Sequence, residues 1–523
     1  MPKSQYTESV KKKVDVWKYK EYKCTVKPIN VYTGRRIIVL NKLQAASHDI
    51  YLGYRTILKY DSKELAVIVD VSDDLVKHGE VGIYKDLVDE LGIKSTDRVE
   101  IIHMDRPDSI THIRQKMDGK VLSHAEIQEI IQDLMDNKLS EVELAAWVSA
   151  VYIRGLSDSE IIGLTNSIVS SGEQMDLGVK PICDKHCIGG VAGNRTSMII
   201  VPIIAAAGLY IPKSSSRSIT SAAGTADVME LLAPVDLKMD EVKEVTLKAK
   251  GCIVWGGGLN LASADDRLIR IRNPLKLDPE GLLISSILGK KKAVGATHVI
   301  IDIPIGRDAK VEGMDNAKTM AKHFIQIGEG LGIDVEALIT DGAEPIGHGV
   351  GVALEAKDIL EVLEGNGGPD DLRHKSCLLS AKLLELAGKV GKGKGYEVAE
   401  KLITSGKALK KLKEIIALQG GDPKVSSKDI SPGKFTYDHI AATSGKIFHV
   451  DSKTISKVCR IAGAPMDKYA GILLHKTRGD SVKKGDKLFT IYASSEAKLE
   501  FAIRALKDLE PVEMQKIILG VMD

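Results

Sequence analysis

The spacing of hydrophobic residues changes along the chain, and each change predicts a new structural region. Residues 1–103 carry short β-branched runs at 37–40, 65–69 and 99–102, which lie between turn residues and predict strands. Residues 79–102 follow the pattern strand, short helix, turn and strand. That pattern is typical of the repeat unit of small intertwined β-barrels, and equally of an ordinary αβ turn. We predict an N-terminal β-barrel-like domain over 1–103.

The next region has the period of amphipathic helices. Between residues 104 and 178, apolar positions recur at three-to-four spacing. Ser123, Ser140 and Ser157 each stand where an N-cap is expected, with Glu or Gln within about the first turn. The sequence therefore predicts a helical lobe over 104–178, which part of 262–295 joins.

Residues 179–428 alternate short apolar strands with helices, for example a strand at 297–303, a helix at 315–332 and a strand at 337–340. This alternation predicts an α/β domain with a central mixed or parallel sheet. From 429 to 523 the pattern returns to strands, with Gly-Asp-x-Val-x-x-Gly-Asp-x-Leu at 479–488. That motif resembles the hairpin of a barrel-sandwich hybrid, a fold shared with biotin and lipoyl carriers. No lysine lies in the Met-Lys-Met context of a carrier, so we predict a structural or dimer-supporting α+β module.

Composition excludes several classes of protein. The 523 residues are 44% hydrophobic and 28% charged with a net charge of +2, which argues against a disordered chain and against a global attraction to nucleic acid or anionic membranes. Six cysteines in no disulfide pattern favour a reducing compartment, and the N-terminus lacks the apolar core of a signal peptide. We expect a cytoplasmic protein with small-molecule substrates and neither a nucleic-acid nor a membrane partner.

A glycine-rich loop is the first candidate for chemistry. Gly189, Gly190 and Gly193 precede an apolar helix that is predicted to begin near residue 196 or 197. Such a loop lets backbone N–H groups face an anion, and the helix N-terminus adds a favourable dipole. Lys185 and His186 add positive charge. A tight turn without a ligand fits this segment alone equally well.

A loop rich in hydroxyl groups is the second candidate. Ser214, Ser215, Ser216, Arg217, Ser218, Thr220 and Ser221 lie within eight positions, and Gly224 and Thr225 then open another helix. Hydroxyls and a guanidinium suit phosphate oxygens, which only accept hydrogen bonds. The alternative is a serine-rich linker, but strand and helix patterns lie close on both sides. Two such loops together predict two anion sites.

Two further clusters contain residue types that carry chemistry. Arg272, Asp278, Ser286 and Lys290 lie close in sequence, although residues 278–280 also fit a helix N-cap with proline at the first position. Cys183, His186 and Cys187 are soft ligand types, but no paired Cys-x-x-Cys accompanies them. We predict no metal site.

The motifs carry a resemblance to a known family. Residues 214–232 resemble the signature of the thymidine/pyrimidine-nucleoside phosphorylases, and residues 184–197 resemble their phosphate loop. From about residue 25 onward, the chain resembles the archaeal-type branch of this family, which acts on AMP. The resemblance implies a pentosyltransferase that converts AMP and phosphate to adenine and ribose 1,5-bisphosphate, with CMP and UMP as further substrates. It implies no cofactor, because phosphate is itself a substrate, and it implies a homodimer or larger homo-oligomer.

The resemblance also assigns residues. Asp278 matches the proton donor, while Arg272 and Lys290 match residues that hold the base in pyrimidine enzymes. The positions that match nucleotide contacts are Gly190, Ser216, Arg217, Ser218, Ile219, Thr220, Ser221, Thr225, Ser286 and Lys310. Those that match phosphate contacts are Lys185, Ser197, Ser215 and Thr225. Two departures speak against a pyrimidine nucleoside as main substrate: Cys187 replaces a phosphate-binding serine, and Ile269 replaces a base-contacting tyrosine.

The chemistry of phosphorolysis fits these residues. Phosphate attacks C1′ of the sugar, and the leaving base takes a proton from an acid, a role we predict for Asp278. Closure of the cleft between the helical lobe and the α/β domain, as the family implies, would expel water. We expect the 189–197 loop with Ser215 and Thr225 to hold the attacking phosphate. Ser216 to Ser221, with Arg217 and Lys310, would then hold the 5′-phosphate.

Three rival readings stay open at this point. A pyrimidine-nucleoside phosphorylase would not gain from a 5′-phosphate. An anthranilate-type phosphoribosyltransferase would need magnesium, for which Asp227 and Glu230 are candidate ligands. A non-enzymatic assembly protein would bind nucleotides without turnover.

Overall fold

The computed structural model describes residues 22–218, 221–307, 309–365 and 367–515. The expectation of a solvated N-terminal tail over the first twenty or so residues lies outside this part. The chain divides into two compact units, which are described separately. Among the described residues, one unit combines 22–167 with 267–279, and the other combines 168–266 with 280–515. Among the described residues, none of the helices is long and apolar enough to cross a membrane.

A closed six-stranded barrel forms the start of the first unit. Its elements are β1 Tyr22–Ile29, β2 Ile37–Asn41, α1 Lys42–Ser47, β3 Arg55–Tyr60, β4 Lys63–Ser72, β5 Glu80–Tyr84, α2 Lys85–Leu91 and β6 Arg98–His103. The strand order is β1-β5-β2-β4-β3-β6. The parallel pair β1–β5 is matched by the parallel pair β2–β4, and the antiparallel pair β1–β6 by β3–β4. The pairing is therefore two-fold symmetric, and the closed barrel confirms the predicted β-barrel-like domain.

Four helices follow in the same region of sequence: α3 Ser109–Met117, α4 His124–Met135, α5 Glu141–Arg154 and α6 Asp158–Ser170. Ser123 and Ser140 are N-caps as predicted, and they form capping boxes with Glu126 and Glu143. Arg267 donates to the carbonyl oxygens of Leu134 and Met135 at 2.8 and 3.0 Å, so it satisfies the C-terminus of α4. The segment 267–279 thereby packs with these helices.

A parallel sheet organises the second unit. Its strands are β7 Cys183–Cys187, β8 Ile211–Ser215, β9 Gly251–Trp255, β10 His298–Ile305 and β11 Asp334–Asp341. The pairs β11–β10, β10–β7 and β8–β9 are all parallel, and a bridge between Ile182 and Tyr210 joins the two groups. The predicted strand, helix and strand over 297–340 are β10, α12 and β11. Since parallel strands all end at one edge, the loops after β7, β8 and β10 emerge on the same side of the sheet.

Helices separate these strands along the chain, and one of them, Ser263–Arg272, crosses from the second unit into the first at residue 267. They are α7 Ser197–Ala206, α8 Thr225–Glu230, α9 Met239–Ala249, α10 Ser263–Arg272, α11 Glu280–Ala293, α12 Met314–Gly330, α13 Val352–Glu364, α14 Asp370–Leu386, α15 Gly395–Thr404 and α16 Lys407–Leu418. The largest core lies between α7 and the helices α14 and α16, and residues 198–204 of α7 are fully buried. The helix that follows the glycine loop is therefore fixed on all sides by apolar packing.

The C-terminal region contains two small antiparallel sheets. Its elements are β12 Gly349–Val350, β13 Phe435–Ile440, β14 Gly445–Val450, α17 Ser452–Ile461, β15 Gly471–Leu474, β16 Ser481–Val482, β17 Lys487–Ala493, α18 Glu496–Ala505 and β18 Val512–Met514. The sheet orders are β12-β15-β17-β13 and β16-β14-β18. The expected hairpin at 479–488 is wrong, because β16 and β17 pair with strands of different sheets. One strand, β12, comes from the sequence of the α/β domain.

Candidate active site

The glycine loop follows the C-terminal end of β7 and depends on glycine conformations. Gly190 and Gly193 have φ values of 95° and 69°, in the left-handed region. A Cβ at Gly190 would lie 2.7 Å from the backbone nitrogen of Lys310, and a Cβ at Gly193 would lie 2.1 Å from the carbonyl oxygen of Ile346. The structure therefore brings the backbones of Gly190 and Lys310 close together.

The helix after the loop begins at Ser197, as predicted. Lys185 on β7 donates from Nζ to Oγ1 of Thr196 at 2.9 Å, immediately before that helix. Ser197 and Lys185 are both buried, with exposed fractions of 7% and 2%. An ammonium group, a helix N-terminus and glycine N–H groups thus occur at one place, an arrangement that favours an anion.

Buried lysines outnumber buried carboxylates beneath this loop. Asp184 lies 2.6 Å from Lys291 Nζ and 3.6 Å from Lys213 Nζ. A second carboxylate, Asp302 on β10, lies 3.5 Å from Lys185 Nζ and 3.4 Å from Lys375 Nζ. Both aspartates are fully buried, and all four lysines are at most 9% exposed. Two buried carboxylates therefore face three buried lysines, apart from Lys213, whose pKa burial lowers to about 7. A phosphate dianion would offset this excess of positive charge.

The structure corrects the expected charge of His186. It was expected to add positive charge, but burial and the neighbouring Lys291 and Lys213 lower the pKa of His186 well below its usual range. Burial also lowers the pKa of Lys213 to about 7. Burial, reinforced by the neighbouring lysines, thus keeps His186 neutral at pH 7. The positive charge at the loop comes from lysines and from Arg195, which pairs with Glu355.

Cys187, the expected departure from the pyrimidine enzymes, ends β7. Its Sγ accepts a hydrogen bond from Nδ2 of Asn194 at 3.3 Å, and burial raises the pKa of the Cys187 thiol to about 11. Among the described residues, no group of three His, Cys, Asp or Glu side chains is arranged to hold a metal ion.

One carboxylate shapes the serine loop. Oδ2 of Asp227 accepts from the backbone N–H groups of Ser218 and Gly224, each at 2.8 Å. A Cβ at Gly224 would lie 2.6 Å from the backbone nitrogen of Ser218. Ser215 ends β8 and Thr225 begins α8, so the loop joins both elements. Ile219 and Thr220 lie outside the described residues. The hydroxyl groups of Ser218 and Ser221 donate to the backbone carbonyl oxygens of Ser221 and Ala223, so they hold the loop in its turn.

Arg217 is held by carboxylates. Its guanidinium donates to Glu230 at 2.8 Å and to Asp227 at 3.5 Å, and it lies 5.0 Å from the centre of the Trp255 ring. Lys468 is 2.9 Å from the same Glu230, and Arg217 and Lys468 lower the pKa of Glu230 to about 2. The two candidate magnesium ligands of the phosphoribosyltransferase reading are thus bound to cations and backbone N–H groups.

Ser286 and Lys290 share one partner. Oδ2 of the buried Asp265 accepts from Ser286 Oγ at 2.6 Å and lies 2.8 Å from Lys290 Nζ. Both donors lie on α11, four residues apart, so they project from the same face of this helix. Asp265 therefore fixes two residues that were expected to contact the nucleotide.

Arg272 and Asp278 belong to the other unit. Nη1 of Arg272 donates to Oδ1 of Asp278 at 2.9 Å. The Arg272 side chain is 10% exposed and the Asp278 side chain 31%. The expected proton donor is therefore partly accessible within its own unit, and a buried arginine orients its carboxylate.

Sequence reasoning missed the carboxylates that hold the site. Asp227 was weighed only as a metal ligand, and Asp265, Asp302 and Lys375 were not considered. Asp227 and Asp265 lie two to four positions from residues that were singled out, so their spacing was a usable signal. Asp302 gave no such signal, because it lies on a neighbouring strand. No sequence signal pointed to Lys375, because it reaches the site only through the packing of α14 on β10.

Comparisons with known proteins agree with this arrangement. The family model for the helical bundle domain of a glycosyl transferase family matches residues 110–172, and the model for the a/b domain of that family matches 179–409. The model for the pyrimidine nucleoside phosphorylase C-terminal domain matches residues 447–512. The three models thus cover the helical, α/β and C-terminal regions in order.

Curated relatives extend over nearly the whole chain. The AMP phosphorylase of Methanococcoides burtonii is 43% identical over 494 residues, which cover 94% of this chain and 97% of that protein. The AMP phosphorylase of Pyrococcus furiosus is 44% identical over 499 residues, 95% of this chain and 99% of that protein. A solved anthranilate phosphoribosyltransferase from Thermus thermophilus has a TM-score of 0.51 at 19% identity and covers 59% of this chain and 98% of that chain. That likeness concerns the fold alone.

Proposed function

Because this chain belongs to the AMP phosphorylase family, we propose that it catalyses the phosphorolysis of AMP to adenine and ribose 1,5-bisphosphate. CMP and UMP are proposed as further substrates. The observation that carries the proposal is the excess of buried lysines, with Lys185 at its centre, beneath a glycine loop that opens a helix. A phosphate dianion supplies the missing negative charge there.

In the proposed reaction, an oxygen of phosphate forms a bond to C1′ while the N-glycosidic bond breaks. The bonding electrons pass to the base, which takes a proton from the carboxylic acid form of Asp278 and leaves as neutral adenine. Asp278 must therefore bind a proton and give up its ion pair with Arg272 before this step. No nucleophilic side chain and no cofactor are needed, because phosphate is itself the nucleophile. The chain contributes positioning and electrostatic stabilisation.

Two phosphoryl groups then need separate donors, since two dianions repel each other. We assign the attacking phosphate to Lys185, Ser197 and the glycine loop, with Ser215 and Thr225. We assign the 5′-phosphate to the serine loop with Arg217 and Lys310. The adjacency of Gly190 and Lys310 supports a ligand that spans both sets. Asp265 would present Ser286 and Lys290 to the nucleotide.

The test is an assay of base release with AMP, CMP, UMP and the matching nucleosides, each with and without phosphate. We expect adenine release from AMP only when phosphate is present, together with formation of a bisphosphorylated sugar. Preference for uridine or thymidine over AMP would favour the pyrimidine-nucleoside alternative. Release without phosphate would indicate a hydrolase, and binding without release would indicate a non-enzymatic role.

We further propose that the C-terminal module supports the active loops and that the chain works as a homo-oligomer. Ala192 of the glycine loop and Ala222 of the serine loop both pack in the core of the C-terminal sheets. This shared packing supports a structural role for the module rather than a carrier role.

A further inference from the structure

The carboxylate of Asp302 lies at the centre of a buried cluster. Its Oδ2 lies 3.5 Å from Lys185 Nζ, 3.4 Å from Lys375 Nζ and 3.5 Å from Nδ2 of Asn194. Its Oδ1 accepts from Thr340 Oγ1 at 2.7 Å. The cluster thus joins β7, the glycine loop, β11 and the helix Asp370–Leu386 through one side chain.

Lys375 is the unusual member of this cluster. Its Nζ is inaccessible to solvent and makes no hydrogen bond, although it lies within ion-pair distance of Asp302. Burying an ammonium group with so little compensation is unfavourable, and an apolar side chain would pack there at lower cost. A lysine at this position therefore calls for a role other than stability.

The charge of the cluster indicates that role. With Lys185 and Asp302 alone, the lysine and the carboxylate would form a neutral pair. With Lys375 added, the three groups carry a net charge of +1 close to the glycine loop. The two lysines together lower the pKa of Asp302 even though burial opposes this, so the carboxylate is ionised at neutral pH.

We propose that Lys375 is a phosphate-positioning residue, which shares Asp302 with Lys185 and so leaves Lys185 free to bind the attacking phosphate. The inference rests on the proposed function, because it assumes that phosphate binds beside Lys185. Lys375 acts through Asp302 and Lys185 rather than by touching the substrate. Lys375 therefore affects the affinity for phosphate and not the affinity for the nucleotide.

The test measures phosphate and AMP separately in the full chain. Lys375→Met should raise the KM for phosphate and the calorimetric Kd of inorganic phosphate at least about tenfold, with little change in the KM for AMP. Lys375→Arg should recover most of the phosphate affinity. Lys392→Met removes an exposed lysine and is the matched control, for which we expect no effect.

A double variant separates charge from structure. Lys375→Met/Asp302→Asn removes one charge of each sign, so the cluster returns to +1 and phosphate affinity should return toward the wild-type value. If Lys375→Met does not fold, Asp302→Asn alone raises the cluster to +2 and should bind phosphate more tightly than the wild type.

Three results would overturn the inference: an unchanged phosphate Kd in Lys375→Met, equal losses for phosphate and AMP, or a double variant no better than Lys375→Met. Weaker phosphate binding in Asp302→Asn would also overturn it. Failure of the proposed function is distinguishable, because it would appear as a wild-type protein that binds phosphate but releases no adenine.

Discussion

At the scale of single residues, the glycine loop shows two different needs for glycine. Gly189 has a φ of 97°, but nothing lies within 4 Å of the position a Cβ would take. Gly193 has a positive φ as well, and a Cβ there would meet the carbonyl oxygen of Ile346 at 2.1 Å. Gly189 therefore needs conformational freedom only, whereas Gly193 also needs space.

This difference predicts unequal losses on substitution. Gly189→Ala should cost about 1–2 kcal/mol of unfolding free energy through backbone strain alone. Gly193→Ala adds a clash with rigid backbone, for which about 1–3 kcal/mol more is expected, and it should raise the KM for phosphate. Urea unfolding of both variants checks this. Equal stabilities would contradict the role assigned to the close approach of Ile346.

A substitution at Asp278 tests its proposed role as the proton donor. Asp278→Asn keeps an oxygen that accepts from Arg272 but has no acidic proton, so turnover of AMP should fall about 10²–10⁴-fold. Single-turnover kinetics and thermal unfolding measure the two effects separately. A variant that folds normally and keeps near-normal turnover would remove Asp278 from the mechanism.

Arg217 carries the prediction on the 5′-phosphate. Arg217→Ala should reduce kcat/KM for AMP far more than for adenosine, because only AMP has the group it is proposed to hold. Glu230 would keep Lys468 as a partner, so the fold should survive. Lys468→Ala removes the other cation on Glu230 and is the matched control. Equal losses on both substrates would contradict the assignment.

At the scale of elements, strands and helices with a strong hydrophobic period could be predicted from the sequence. The elements with which they pair or pack could not. The β-branched runs and N-cap serines located β2, β4 and β6 and the helices after Ser123 and Ser140, because both signals are local. The hairpin expected at 479–488 was wrong since strand pairing depends on distant residues. The carboxylates that fix the loops escaped for the same reason: Asp302 meets Lys185 only through the parallel pairing of β10 with β7.

Lys213 on strand β8 predicts how the stability of the fold depends on pH. Lys213 has a pKa of about 7 in the folded chain against 10.5 for the free group, so the unfolded chain binds more protons between these values. The cost of burying the charge is complete below about pH 7 and disappears as the pH rises toward 10.5. Lys213→Met removes this cost, so its gain in melting temperature over the wild type should shrink from pH 6 to pH 9. A gain that does not change with pH would contradict the buried charge.

At the scale of the whole molecule, the regions recognisable in sequence are linked by shared elements. Residues 267–279 pack with the helices that precede them, and β12 at Gly349–Val350 pairs with β15 of the C-terminal region. Sequence reasoning recognised the regions because each has its own period and motifs. It also predicted that part of 262–295 joins the helical lobe, but it did not reveal β12, because two residues of strand carry no periodicity.

The shared strand predicts the behaviour of a shortened chain. A chain that ends near residue 430 would leave β12 without its partner and uncover the apolar surface at Ala192, Ala222 and Val350. We expect such a chain to aggregate and to bind phosphate poorly, as size-exclusion chromatography and calorimetry would show. A monodisperse shortened chain with wild-type phosphate affinity would contradict the supporting role of the C-terminal module.

Because β12 comes from the α/β region but pairs with a C-terminal sheet, it restricts which C-terminal modules these proteins can carry. A C-terminal module taken from another member would have to accept the backbone of Gly349 and Val350 at its sheet edge, as Gly471 to Leu474 do here. Recombination at the apparent border near residue 430 would separate two segments that fold as one. Lineages are therefore expected to inherit the 349–350 segment and the C-terminal module as a single heritable block.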